Sequence, residues 1–315
     1  MNNMGPTSTA GRIGKRTPAA GNKTLKVALV GFPANESDIT PEVLAAVKSE
    51  AARLGKRGMR VKIETADFRP QVKVVALKGP DADVLVKEDA ERMLGAFRKL
   101  KRKNDLVITL GGSHAYAYPT YVDVPEGRII ARFDHHGDAG LPHHIRRKFP
   151  TDISRENIQN FDYVWHALGR KPLAGERPLK KANIINFGTP DSRQVFGRTF
   201  NDMLTVWETK RAGKTRPAEE GGKHGNIDTL CVDMDAFHEK YGLSTEYTQS
   251  DALLKHAVQA AKASAPSLRT VSFFEYFNDV PGERQKTKTF ITAMARAALR
   301  HKASAFFSQK QKPAK

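Results

Sequence analysis

Six side chains able to hold a divalent metal fall in three clusters, each at or near the end of an apolar run. They are His114 in GGSHA, Asp134, His136 and Asp138 in RFDHHGD, and Asp233 and Asp235 in LCVDMDAF. Asp134, His136 and Asp138 are spaced i, i+2, i+4, which on an extended segment places all three on one face. A carboxylate closing the apolar run 128–134 is hard to explain as packing, because a buried charge needs a partner or a metal. Asp233 and Asp235 repeat the same alternation. Four carboxylates and two imidazoles, with no thiolate, suit a pair of hard-to-borderline divalent ions better than a structural zinc, and Mn²⁺ is the first choice. Two such ions sharing carboxylates lower the pKa of a bridging water and deliver hydroxide to an electrophilic carbon. Taken singly, D-x-H-x-D or D-x-D is an ordinary solvated turn and His114 an ordinary core histidine. Their joint occurrence at strand ends carries the reading.

The elements that would position these residues are legible as alternating apolar runs and helical periods. LKVALVGF reads as a strand, PEVLAAVKSEAARLG as a helix closed by a glycine, and MRVKIETADF and VKVVAL as further strands. VKEDAERMLGAFRKLKRKN places Val86, Ala90, Met93, Leu94 and Phe97 on one helical face, with its basic residues gathered where the helix dipole favours them. LVITLGG, RIIARFD, ANIINFG, TLCVDMD and TVSFFEYF read as later strands, and TKTFITAMARAALRHKA as a closing helix. The alternation predicts an α/β three-layer sandwich, a mostly parallel sheet flanked by helices. Ligands of such sheets bind at the carboxyl ends of the strands, where the three clusters fall. Residues 142–160 read as a long active-site loop, with a helix from Ser154, and 209–225 as a Gly/Lys/Glu-rich loop.

The chain has 315 residues, 39% of them hydrophobic, enough for one substantial core. A single domain over 25–303 is expected, between a disordered basic N-terminal tail, 1–24, and a basic C-terminal tail, 304–315. The net charge is +18, of which residues 1–35 supply five Lys/Arg and 284–315 nine, neither stretch holding an acid. Such tails read as solvated appendages able at most to associate weakly with nucleic acid or other anions. The one cysteine, Cys231, excludes an intramolecular disulfide and reads as a packing residue inside its strand. No run is long and apolar enough for a membrane span or a signal peptide, so a cytoplasmic protein is expected.

The order GGSHA, DHHGD, CVDMD, FEYFND resembles the arginase/agmatinase ureohydrolases, whose signature runs through GGDHS-like, DAHxD, SxDxD and VExNP-like segments. The resemblance implies an arginase-like fold, two Mn²⁺ per chain, and hydrolysis of a small cationic guanidino substrate (agmatine, arginine or a guanidino acid) to urea and an amine. It implies that Asp134 and Asp233 bridge the metals, that His114 and Asp138 complete one ion, and that His136 and Asp235 complete the other. Asp138 would help hold the hydroxide and transfer its proton, and Glu275 in FFEYFND would pair with the guanidinium. His166 in FDYVWHALG matches a proton-shuttle position, with His143 and His144 as competitors. Trimers or hexamers are the implied assemblies. The chain departs from the pattern at Ser113, at Ala236 and Phe237 after Asp235, and at Asp279 after Asn278. A formiminoglutamase-like or other metal-dependent amidohydrolase on the same fold, and a non-enzymatic metal-binding paralogue, are the alternatives.

Overall fold

A computed structural model of the chain describes residues 23–32, 40–68, 84–85, 87–112, 114–125, 128–134, 158–159, 184–187, 227–234, 250–274 and 283–308. In chain order the elements are β1 (Thr24–Phe32), α1 (Thr40–Gly55), β2 (Arg60–Asp67), β3 (Val84–Leu85), α2 (Lys87–Lys103), β4 (Leu106–Gly111) and a 3-10 turn (His114–Ala117). They continue with α3 (Tyr118–Val122), β5 (Ile129–Phe133), β6 (Ile158–Gln159), β7 (Ile184–Phe187), β8 (Ile227–Asp233), α4 (Ser250–Ser264), β9 (Thr270–Phe274) and α5 (Glu283–Ser308). Seven strands form one sheet in the order β2-β1-β4-β9-β8-β5-β7, and β3 pairs with β6 in a small second sheet. Every pairing in the large sheet is parallel, a stricter arrangement than the mostly parallel sheet read from the sequence.

The all-parallel sheet explains why the central strands are buried throughout rather than alternating. β4, β5, β8 and β9 are buried at every residue, because helices cover both faces. β2, at the edge, alternates instead, and its exposed Arg60 and Lys62 blunt an edge that would otherwise pair with another chain. Successive residues point to opposite faces, so each strand feeds two cores. Leu25, Val27, Leu29, Ile108, Val271 and Phe273 pack with residues of α1, α4 and α5 such as Val47, Ala261, Ile291 and Leu299. Ala28, Val30, Phe32 and Val107 face the other way, against Met93, Phe97, Tyr118 and Tyr121 of α2 and α3. Each fully buried side chain of this size contributes roughly 1.5–3 kcal/mol, so both layers are secured chiefly by apolar area.

Helix ends follow local chemistry. α1 closes through a turn in which Gly58 has φ of +77°, a conformation that favours glycine, while Met59 donates back to the Leu54 carbonyl. In α2, Ala90, Met93, Leu94 and Phe97 are buried as the helical period requires. Val86 precedes the helix and, with the strand reading of VKVVAL, lies outside the described residues. α4 has no counterpart in the sequence reading, and α5 runs through Ser308, past the boundary drawn at 303. Phe306 and Phe307 of that extension pack against the core. Among the described residues no helix is long and apolar enough to cross a membrane.

Candidate metal centre

The strand register brings the first two carboxylates together. Phe133 of β5 lies beside Val232 of β8, and Asp233 beside Phe274 of β9. One residue past Phe133, Asp134 therefore stands next to Asp233 at the carboxyl ends of adjacent strands. His114 reaches them from a third element. Beyond β4 the chain turns into the 3-10 segment His114–Ala117, all four of whose residues are buried, and this turn carries the imidazole over the strand ends. The sequence placed His114 at the end of a strand, whereas it opens that turn.

The three side chains are almost wholly enclosed, with exposures of 2% for His114, 1% for Asp134 and 0% for Asp233. His114 Nδ1 lies 3.3 Å from Asp233 Oδ2 and 3.6 Å from Asp134 Oδ2. One ligand atom from each of the three falls within 4.8 Å of the others. A divalent ion with bonds of about 2.0–2.2 Å to nitrogen and oxygen sets neighbouring ligand atoms roughly 3.0–3.5 Å apart. The donor types, and the two distances from His114 Nδ1, thus suit a hard-to-borderline divalent cation.

The imidazole is held on its other sides as well. Its ring stacks on Phe274, with centroids 5.7 Å apart and planes 26° from parallel. Its Nε2 lies 3.8 Å from Cys231 Sγ. A metal on Nδ1 requires the proton on Nε2, where the sulfur accepts it as a weak partner. Cys231 is thus core packing, as read from the sequence, and also an orienting contact that the sequence did not disclose. Phe274 in turn depends on Gly111. A Cβ built there would lie 2.6 Å from Cδ1 and Cε1 of the Phe274 ring and 3.3 Å from Phe32 Cβ. The first glycine of GGSHA therefore lets an aromatic platform lie flat against β4 under the histidine.

A further charged residue was missed. Arg132 is 0% exposed, and its Nη2 donates to Asp134 Oδ2. Residues 132 and 134 share a face of β5, so the guanidinium rises from beneath the carboxylate. Arg132 pairs in register with Cys231, Cys231 with Ser272, and Ser272 with Thr109, which makes a polar row one layer below the carboxylates. Among the described residues, the hydroxyls of Ser272 and Thr109 meet no hydrogen-bond partner. The available signal for Arg132 was an arginine inside an otherwise apolar run, two residues before Asp134. His136, Asp138, Asp235, His166 and Glu275 lie outside the described residues.

Known proteins match this chain by fold rather than by sequence. No protein-family model and no curated protein matches it. The arginase of Bacillus caldovelox superposes with a TM-score of 0.57 at 17% identity, over 87% of this chain and 98% of that one. A hypothetical agmatinase from Burkholderia thailandensis gives 0.54 at 13% identity over 94% and 90%. The proclavaminate amidino hydrolase of Streptomyces clavuligerus gives 0.53 at 13% over 89% and 92%. The chain therefore has the arginase-like α/β fold along most of its length. Its buried His/Asp cluster sits at the strand ends of that fold.

Proposed function

We propose that this protein is a manganese-dependent hydrolase of linear amidines, releasing urea and an amine from a small guanidino substrate such as agmatine, arginine or a guanidino acid. The observation that carries the reading is the convergence of His114, Asp134 and Asp233 at the carboxyl edge of an arginase-like sheet. In this reading two Mn²⁺ bind per chain, with His136, Asp138 and Asp235 completing the ligand set. When bound, the ions supply Lewis acidity, which makes a water nucleophilic enough at neutral pH to attack a guanidinium carbon.

The chain's own residues do the rest. Asp134 and Asp233 enter the site already adjacent, so their negative charge draws a dication and a cationic substrate to the same edge. Cys231 and Phe274 keep the imidazole of His114 turned with Nδ1 towards the carboxylates. Asp138 takes the proton shed in the attack, and His166 passes a proton to the departing amine, which leaves only when protonated. Glu275 accepts paired hydrogen bonds from the guanidinium and fixes its carbon for attack. A trimer or hexamer is the assembly that goes with this reading.

The test is urea release by Mn²⁺-loaded protein from arginine, agmatine and guanidino acids, beside His136→Ala. Urea from one substrate, lost in the variant, is the expected result. Bound metal without urea from any of them would move the assignment to another amidohydrolase of the same fold.

A further inference from the structure

We infer that Arg132 is a built-in counter-ion of the metal centre: it holds Asp134 in the metal-free protein and opposes the incoming ion, and so sets how tightly the centre takes metal. The inference rests on the proposed role of Asp134 as a ligand, and it concerns a residue outside the four segments GGSHA, DHHGD, CVDMD and FEYFND.

The argument begins with burial. A guanidinium enclosed in a β-sheet is unfavourable by several kcal/mol unless a carboxylate answers it. Arg132 lies in β5, wholly enclosed, and Asp134 is a carboxylate it touches. The oxygen that receives its Nη2 is Oδ2, the same atom that lies 3.6 Å from His114 Nδ1. A metal seated between His114 and Asp134 would therefore share that oxygen with the guanidinium. Arginine does not release its proton at any ordinary pH, so its charge persists when a divalent ion arrives. A lysine or histidine in the same place could shed a proton and withdraw its opposition.

Two consequences of opposite sign follow. Without metal, Asp134 and Asp233 are adjacent buried carboxylates, and Arg132 supplies the cation that relieves their repulsion. With metal, that relief is redundant and the fixed charge weakens binding. A merely structural arginine would stabilise both forms alike and leave metal affinity unmoved or lower on removal.

The test uses the full chain as wild type, Arg132→Gln and Arg132→Met. Glutamine keeps a donor for Asp134 and removes the charge, whereas methionine removes both. Mn²⁺ affinity is read by titration calorimetry and melting temperature is read in chelator and in Mn²⁺. Both variants should melt lower than wild type in chelator and bind Mn²⁺ at least about tenfold more tightly, widening the gap between metal-free and loaded melting temperatures. Folding only when Mn²⁺ is present would be the extreme form of this result. Unchanged or weaker affinity in both would overturn the inference. So would failure of both to fold in Mn²⁺, since the ion supplies the charge that was removed. A wild-type chain that binds no metal would instead sink the metal-centre reading itself.

Discussion

The two ends of the parallel strands both bury charge, and they do so in opposite ways. At the amino end, buried Lys101 places its Nζ 2.6 Å from Asp228 Oδ2 and donates to the Asp123 carbonyl at 3.0 Å. Arg269 donates to the carbonyls of Lys101 and Asn104, and Asn104 donates to Glu64. Lys302 donates to the Pro266 carbonyl, with burial bringing its ammonium down to about 8. Each cation there meets an anion or a carbonyl, so the network closes on itself and ties α2, α5 and the strand starts together. At the carboxyl end, two adjacent carboxylates and an imidazole converge on one point. Charges that close among themselves hold a fold. Like charges that converge need a cation from outside it, beyond the single charge that Arg132 brings.

Removing one partner at each end should separate these roles. Asp233→Asn should abolish Mn²⁺ binding in calorimetry while the metal-free melting temperature holds or rises, because one of two adjacent buried carboxylates has been neutralised. A large loss of metal-free stability would place Asp233 with the structural charges. At the other end Lys101→Met leaves Asp228 buried without its nearest cation, and about 3–5 kcal/mol of stability should disappear in denaturant unfolding. Metal affinity of the protein that remains folded should match wild type, and a fall would join the two ends.

Gly111→Ala lies between these cases. The added methyl meets the Phe274 ring, so about 1–3 kcal/mol of stability should be lost. Mn²⁺ affinity should weaken as well, since His114 stacks on the ring that must move. Loss of stability with unaltered affinity would show that Phe274 does not orient the histidine.

The smallest effect belongs to Glu50, which links α1 to Arg300 of α5 away from either strand end. Burial alone would raise its carboxyl, but hydrogen bonds from Arg53 and Arg300 more than offset this and hold it at about 2, below the ordinary 4.5. A folded pKa below the unfolded one means that the stabilisation is complete above pH 4.5 and fades as pH falls towards 2. Glu50→Gln should therefore flatten that part of the melting temperature's pH dependence and leave neutral-pH metal binding untouched. An unchanged acid limb would remove Glu50 from the account.

The strands and their chemistry were legible because both are local. Apolar runs ending in Asp134 and Asp233 mark where buried strands reach a ligand edge. The fold class follows from alternation alone. Adjacency was not legible: nothing in the spacing of RIIARFD and TLCVDMD says that β5 lies beside β8, which is set by the order of strands across the sheet. For the same reason the contacts from Cys231 and Phe274 to His114 were hidden, although each residue stood inside a strand that had been read. Arg132 stands inside an otherwise apolar run, and its contact with Asp134 rests on the face of β5 that the two residues share. The helix SDALLKHAVQAAKAS was overlooked because its polar first turn follows a stretch without strand or helix period. His114 was expected near the end of a strand, and the turn that carries it there depends on packing of Tyr116, Tyr118 and Tyr121 against the α2 layer.

The central claim is that His114, Asp134 and Asp233 bind one divalent ion between them. The most direct measurement is anomalous diffraction from crystals of the full chain grown with Mn²⁺. The account predicts a manganese peak within about 2.0–2.3 Å of His114 Nδ1 and of one oxygen each from Asp134 and Asp233. Crystals in which those three side chains contact one another around no peak, or in which manganese lies elsewhere, would contradict it.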